Sequence, residues 1–206
     1  RPDILVITDD IYEHIRYSDA PFLTLAQVCP HLKEQVLTVN GVSKAFAMTG
    51  WRLGYGGGPA PLITAMKTLQ GQSTTNPNAI AQAAAAAALN GPMDCVEEQR
   101  RAFQRRRDAA VAHLSQVEGL DVTSPDGAFY LFIGLKDVNG KRTPQGDVLR
   151  SDSDVVDYLL THTGVAVVAG AGFGLSPYMR LSFAVADDLL HEACVRIERG
   201  LADLKV

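Results

Sequence analysis

Two short, unbroken apolar runs, Ile4-Leu5-Val6-Ile7 and Val36-Leu37-Thr38-Val39, do most to limit the fold. Neither alternates polar with apolar residues, so neither suits a strand with one wet face. Both suit strands covered on two sides, as in the parallel sheets of α/β proteins. A third strand is expected over Arg52–Gly56, closed by Gly57-Gly58-Pro59. Helix signals lie around these runs. Leu25–Val28 is weakly helical, and Pro61 opens a helix through Leu69, at a first turn where its missing N–H costs nothing. Asn76-Pro77 precedes another helix over Ala79–Leu89, whose six consecutive alanines predict close approach of a neighbouring element.

Asp94 is expected as the N-cap of a long helix running to about Val117, with Glu97 at the capping-box position. Beyond Gly119 the pattern changes. Strands are expected at Leu120–Thr123, Ala128–Ile133, Val165–Val168 and Met179–Phe183, with helices at Asp154–Leu160 and Asp187–Leu201. The polar stretch 136–152 (KDVNGKRTPQGDVLRSD) has no apolar period and reads as a long loop serving as a lid or contact element. The expected architecture is an α/β domain over 1–93 with a mostly parallel sheet, then a smaller α+β domain over 94–206. The long helix at about 94–117 links them.

Charge and cysteine usage narrow the function. With 206 residues and a net charge of -4, the chain lacks the basic excess of nucleic-acid binders and binders of anionic membranes. Arg100, Arg101, Arg105, Arg106 and Arg107 share their helix with Glu97, Glu98 and Asp108, the pattern of a solvated, ion-paired face. The three cysteines, Cys29, Cys95 and Cys194, are far apart and form no CxxC, which suits reduced thiols in a cytoplasmic protein. No apolar stretch approaches the roughly 18 residues of a membrane span. The chain opens on Arg1-Pro2-Asp3 and runs straight into a strand, so it is expected to be the C-terminal part of a longer protein.

Three groups of residues carry chemistry. In Val39–Tyr55, small residues crowd Lys44, which follows a buried strand and so lies at the sheet edge where α/β folds bind ligands. A lysine there can attack a carbonyl. Ser43 and Arg52 could supply a hydroxyl and a fixed cation to a phosphate. The alternative is an ordinary surface lysine. In Asp9-Asp10-Ile11-Tyr12, Asp9 could hold a proton on a ring nitrogen and Tyr12 could bond a phenolic oxygen; otherwise an Asp caps a helix and Tyr12 is a rim aromatic. In Tyr178-Met179-Arg180-Leu181-Ser182-Phe183, Arg180 shares a face with Tyr178 and Ser182, where a guanidinium suits bidentate capture of a carboxylate. The competing reading is a surface salt bridge on an edge strand.

The segment G-V-S-K-A-F-A-M-T-G-W-R-L-G resembles, position for position, the lysine signature of class I, fold-type-I, pyridoxal-phosphate aminotransferases. D-D-I-Y and Y-M-R-L-S-F-A resemble that family's upstream Asp-x-x-Tyr and carboxylate-binding strand. G-Q-S-T-T-N-P, G-A-F-Y and G-V-A-V-V-A-G-A-G-F-G are similar to the bacterial aspartate aminotransferase branch, and G-K-R-T-P-Q-G-D-V to the subset that also uses prephenate. Ala169-Gly170 stands where the family often has Pro-Gly.

The resemblance implies pyridoxal 5'-phosphate as cofactor, held covalently by Lys44, with Asp9 on the pyridine nitrogen, Tyr12 on the ring oxygen and Ser43 and Arg52 on the phosphate. It implies Arg180 on the substrate α-carboxylate, with Phe173 lining the pocket. It further implies amino-acid and 2-keto-acid substrates, ping-pong transfer from L-aspartate, and a homodimer whose partner site is approached by Ser73-Thr74-Thr75. The family's glycine-containing phosphate loop, ring-stacking aromatic and Asn near the ring oxygen are not in this sequence, so these 206 residues alone are expected to bind cofactor poorly and to be inactive. Two other readings share the resemblance: a carbon–sulfur β-lyase, and the effector domain of a transcription regulator.

Overall fold

Strand β1 (Val6–Asp9) pairs in parallel with β2 (Val36–Gly41), which pairs antiparallel with β3 (Gly54–Gly57), giving the order β1-β2-β3. The computed structural model describes residues 3–205, and the chain divides into two compact units, Arg1–Arg100 and Arg101–Val206. In the first unit Val36 and Leu37 are both buried, as expected of a strand covered on two sides. β1 departs from that expectation. Ile4 and Leu5 precede the strand, and Ile7 is 68% exposed. β1 is an edge strand whose side chains alternate across the pleat, so Ile7 points to the open face. β3 starts two residues later than the sequence suggests, because Arg52 adopts a left-handed conformation (φ 52, ψ 46) after the short helical turn Thr49–Trp51.

Helix α1 (Leu25–Val28) is fixed by a capping box between Thr24 and Gln27. Helix α2 (Ala60–Ser73) carries Pro61 in its first turn. Helix α3 (Ala79–Asn90) begins where the Asn78 side chain accepts the N–H groups of Ile80 and Ala81. Its alanine run is covered along one stripe only. Ala81 and Ala85 are buried, whereas Ile80 is 69% exposed.

Helix α4 (Asp94–Leu114) corrects the expected cap. Asp94 is its first residue, and the Met93 carbonyl accepts from Val96 N–H (3.0 Å) and Glu97 N–H (3.1 Å). Glu97 instead takes Arg100 in two bonds, 2.7 Å from Nε and 2.9 Å from Nη2. Further along, Arg106 pairs with Asp187 and Arg107 with Asp108, so this basic helix is ion-paired as its charge pattern predicts. No helix among the described residues is long and apolar enough to cross a membrane.

The second unit is built on an antiparallel sheet ordered β4 (Asp121–Val122), β5 (Tyr130–Gly134), β7 (Tyr178–Ser182), β6 (Val168–Ala169). Helices α5 (Asp152–Tyr158) and α6 (Asp187–Ala202) belong to the same unit. Leu131, Ile133, Leu159, Met179, Phe183 and Ile197 are completely buried and form the core. The polar stretch 136–152 is no open loop. Gly140 N–H reaches Leu149 O (2.7 Å), Leu149 N–H reaches Lys141 O (2.9 Å), and Arg142 exchanges two backbone bonds with Lys205. Val138 and Leu149, within the stretch, are buried. Two anchors without a period leave no hydropathy signal, so the sequence shows only the polar residues between them.

Candidate active site

The register of the first sheet decides where the lysine goes. Asp9 pairs with Val39, and Gly41 with Gly54, so the C-terminal ends of β1 and β2 share an edge with the start of antiparallel β3. Asp9 closes β1 and Tyr12 lies in the turn after it. Ser43 and Lys44 occupy the turn after β2, and Arg52 stands just ahead of β3. All five residues are therefore delivered to one edge, the one from which α/β sheets bind ligands.

Local bonds hold these turns. Asp9 Oδ1 accepts the Ile11 N–H (3.3 Å), and Tyr12 O accepts the N–H of Ile15, which is buried. Asn40 joins the two strand ends: its amide donates to Glu13 Oε1 (2.8 Å), and its Oδ1 accepts the Gly41 N–H (2.7 Å). Lys44 is half-buried between buried Val42 and Ala45, and its carbonyl accepts the Gln99 amide at 2.9 Å. Ala47 (φ 53) and Arg52 (φ 52) both hold left-handed conformations that L side chains disfavour. Such strain clusters at ligand clamps. The Arg52 guanidinium is exposed, donates to Thr49 O (3.0 Å), and has no carboxylate partner among the described residues. Asn40, Glu13 and Gln99 were not singled out by sequence. Their signal is positional, since each ties a loop to its neighbour.

Gly41 marks close approach. A Cβ there would stand 3.0 Å from Leu53 O and 3.2 Å from Gly54 Cα, both backbone. Gly41→Ala is therefore expected to cost about 1–3 kcal/mol through overpacking and to move the Lys44 turn, which a denaturant midpoint checks.

Asp10 is a second local liability. Its Oδ2 is buried with no hydrogen-bond partner among the described residues. Burial first, then the nearby Glu13 and Asp9 carboxylates, raise its carboxyl above the ordinary value. The ionised form is thus less favourable in the fold than in the unfolded chain. Its contribution to stability is present below the ordinary carboxylate pKa and lost as pH rises through the raised one. Asp10→Asn is expected to melt higher than the parent at pH 7 and to match it near pH 3, in paired thermal scans.

At the end of α2, Thr74 and Thr75 N–H both bond Gln70 O, at 3.1 and 2.9 Å, and Thr75 is left-handed (φ 68).

In the second unit, Arg180 lies on β7, paired with Phe132 of β5 on one side and Val168 of β6 on the other. The strand is central, which removes the edge-strand reading. Met179, Leu181 and Phe183 are buried, as the alternation predicts. The guanidinium stands 4.4 Å from the Tyr130 ring centroid and 4.2 Å from that of Phe173. Phe132 stacks on Tyr178 (5.1 Å, 9°) and meets Phe173 edge-on (6.1 Å, 85°). No carboxylate among the described residues pairs with Arg180. An unpaired guanidinium flanked by rings is suited to an incoming carboxylate. Tyr130 was not assigned a role from sequence, although it sits in the quoted G-A-F-Y.

The chain is similar to known proteins along nearly its whole length. The aspartate aminotransferase of Rhizobium meliloti (strain 1021) is 52% identical over 196 residues, covering 95% of this chain and 48% of the relative. A probable aspartate/prephenate aminotransferase of Rickettsia felis is 47% identical, covering 100% of this chain and 50% of the relative. The chain therefore spans about half the length of these curated relatives. A crystal structure of the aspartate aminotransferase from Rhizobium meliloti superposes with TM-score 0.96 at 50% identity, over 99% of this chain and 51% of that one. An aromatic aminotransferase from Pyrococcus horikoshii gives 0.87 at 37%, over 97% and 52%. The sequence profile described as aminotransferase class I and II matches residues 1–197, and the chain belongs to that family.

Proposed function

We propose that the whole protein is a pyridoxal-phosphate-dependent aminotransferase that passes the amino group of L-aspartate to a 2-keto acid, 2-oxoglutarate or prephenate, by a ping-pong route. The observation that carries this is the gathering of Asp9, Tyr12, Ser43, Lys44 and Arg52 at one sheet edge, in a chain of this family. The donor set fits the cofactor: an amine for an aldehyde carbon, a carboxylate for a ring nitrogen, and a guanidinium and hydroxyl for a phosphate.

When bound, the cofactor supplies an electron sink that makes loss of the substrate Cα proton feasible. The chain's own residues do the rest. Lys44 would hold the cofactor through its amine and would move the proton at the substrate Cα. Asp9 keeps a proton on the ring nitrogen by ion pairing, and Tyr12 hydrogen-bonds the ring oxygen. Ser43 and Arg52 hold the phosphate. In the second unit, Arg180 binds the α-carboxylate with its planar fork, and Phe173 lines that pocket.

The same reading places residues 1–93 in the cofactor-binding domain and 94–206 in a small domain. It makes the working protein a cytoplasmic homodimer in which Ser73-Thr74-Thr75 approach the partner's site. The test is a product assay on the whole protein with pyridoxal phosphate, L-aspartate and 2-oxoglutarate. Equal amounts of oxaloacetate and glutamate are expected. Pyruvate and ammonia from a β-substituted amino acid without any keto acid would replace the transferase by a lyase, and no conversion of either substrate would point to an effector domain.

A further inference from the structure

Asp152 is one of two polar residues buried among those described, at 2% exposure. A buried carboxyl is tolerated only when its oxygens are satisfied, and here both are. Oδ1 accepts the Ser153 N–H (3.1 Å) and Oδ2 accepts the Ala171 N–H (2.8 Å). Helix capping does not account for it. The start of α5 is already served by Ser151 and Asp154, which exchange bonds of 3.2 and 3.0 Å. What Asp152 adds is a long-range tie to the short helical turn Gly170–Phe173.

That turn carries Phe173. Gly170 presses it against β7, where an added Cβ would come within 2.7 Å of Tyr178 Cβ. Gly174 ends it in a left-handed conformation (φ 76). Phe173 is 48% exposed, so burial alone does not fix its ring, and the path of the turn sets where the ring starts. Its ring is one of the two beside the Arg180 guanidinium.

We infer that Asp152 is a positioning residue for Arg180: by holding Ala171 it sets the Phe173 ring and hence the orientation of the guanidinium that receives a carboxylate. The inference rests on the proposed role of Arg180. The two N–H groups reach different oxygens, and Asp152→Asn turns one of those oxygens into an NH2 donor, so both bonds cannot be kept. In the whole protein with its cofactor, the KM for L-aspartate is expected to rise about five- to tenfold, the scale of a lost ring–cation contact, with kcat changed less than about twofold. The Kd for succinate, an unreactive dicarboxylate measured by calorimetry, rises with it. Phe173→Ala produces the same change, and adding Asp152→Asn to Phe173→Ala produces no further one.

A purely structural Asp152 would lower the melting temperature and the active fraction, leave the succinate Kd unmoved, and add to Phe173→Ala. Either an unchanged succinate Kd or an additive effect overturns the inference while the aminotransferase reading stands. A parent protein that neither transaminates nor binds succinate removes the role of Arg180, and the inference falls with it. If Asp152→Asn does not fold, Ala171→Pro removes the donor of the same bond and is expected to raise the succinate Kd equally.

Discussion

Lys44→Ala is expected to lower amino transfer from L-aspartate by about 10⁴-fold or more, because in its proposed role one side chain performs two tasks and alanine performs neither. Proton transfer by a placed base contributes about 10²–10⁴-fold, and covalent attachment adds the easier path that a nucleophile opens. The fold should survive. Lys44 is half-buried in a turn whose packing comes from Val42 and Ala45, and its ties to Gln99 and Ala47 run through its backbone carbonyl. Two measurements check this on the whole protein. Borohydride reduction followed by mass spectrometry should add the cofactor's mass to the parent and not to the variant, while steady-state rates give the loss. A variant that still gains the mass, or keeps a rate within tenfold, would move the covalent role to another lysine.

Arg180→Lys is the second large effect. Lysine keeps the charge but replaces a planar fork by a single point, and it gives up the guanidinium's stacking on Tyr130 and Phe173. Losing one of two hydrogen bonds to a charged group costs about 1.5–3 kcal/mol, and the lost ring contacts add about 0.5–1 kcal/mol. A fall of about 10²–10³ in kcat/KM for L-aspartate is therefore expected. The control is an amino donor without an α-carboxylate, a simple primary amine, whose low rate should not change. Equal losses with both donors would mean that Arg180 supports the strand rather than the substrate. Its central place in the sheet, between β5 and β6, makes that comparison necessary.

Two carboxyl groups, Asp152 and Asp10, differ in how their oxygens are satisfied. Asp152 has both oxygens bonded, whereas Asp10 has one buried oxygen without a partner and like charges nearby. The first holds a turn in place. The second costs stability at neutral pH, at a sheet edge crowded with carboxylates.

Much of this was legible in the chain itself. Short apolar runs marked β2 and the first half of β1, alternation placed Met179, Leu181 and Phe183 inside and Arg180 on the other face, and Pro61 and Asn76-Pro77 signalled the starts of α2 and α3. These are local effects: pleat period, missing N–H groups and side-chain caps act within a few residues. The chemistry-bearing segments were legible for the same reason, because each is contiguous.

What sequence alone determined was therefore the identity of the candidate site residues and the strands or turns that carry them. Tertiary structure decided how they are presented. Only the β1-β2-β3 register brings Asp9, Lys44 and Arg52 to one edge, and that register is set by pairing between segments distant along the chain. Only the fold puts Arg52 in a left-handed conformation, a state arginine does not prefer by itself and keeps because the surrounding chain requires it. The long polar stretch became an anchored hairpin, and Asp152 became the tie to Ala171, through contacts that have no period and no local motif. Hydropathy reports what a segment prefers on average; a single buried hydrogen bond between remote residues leaves no trace in it.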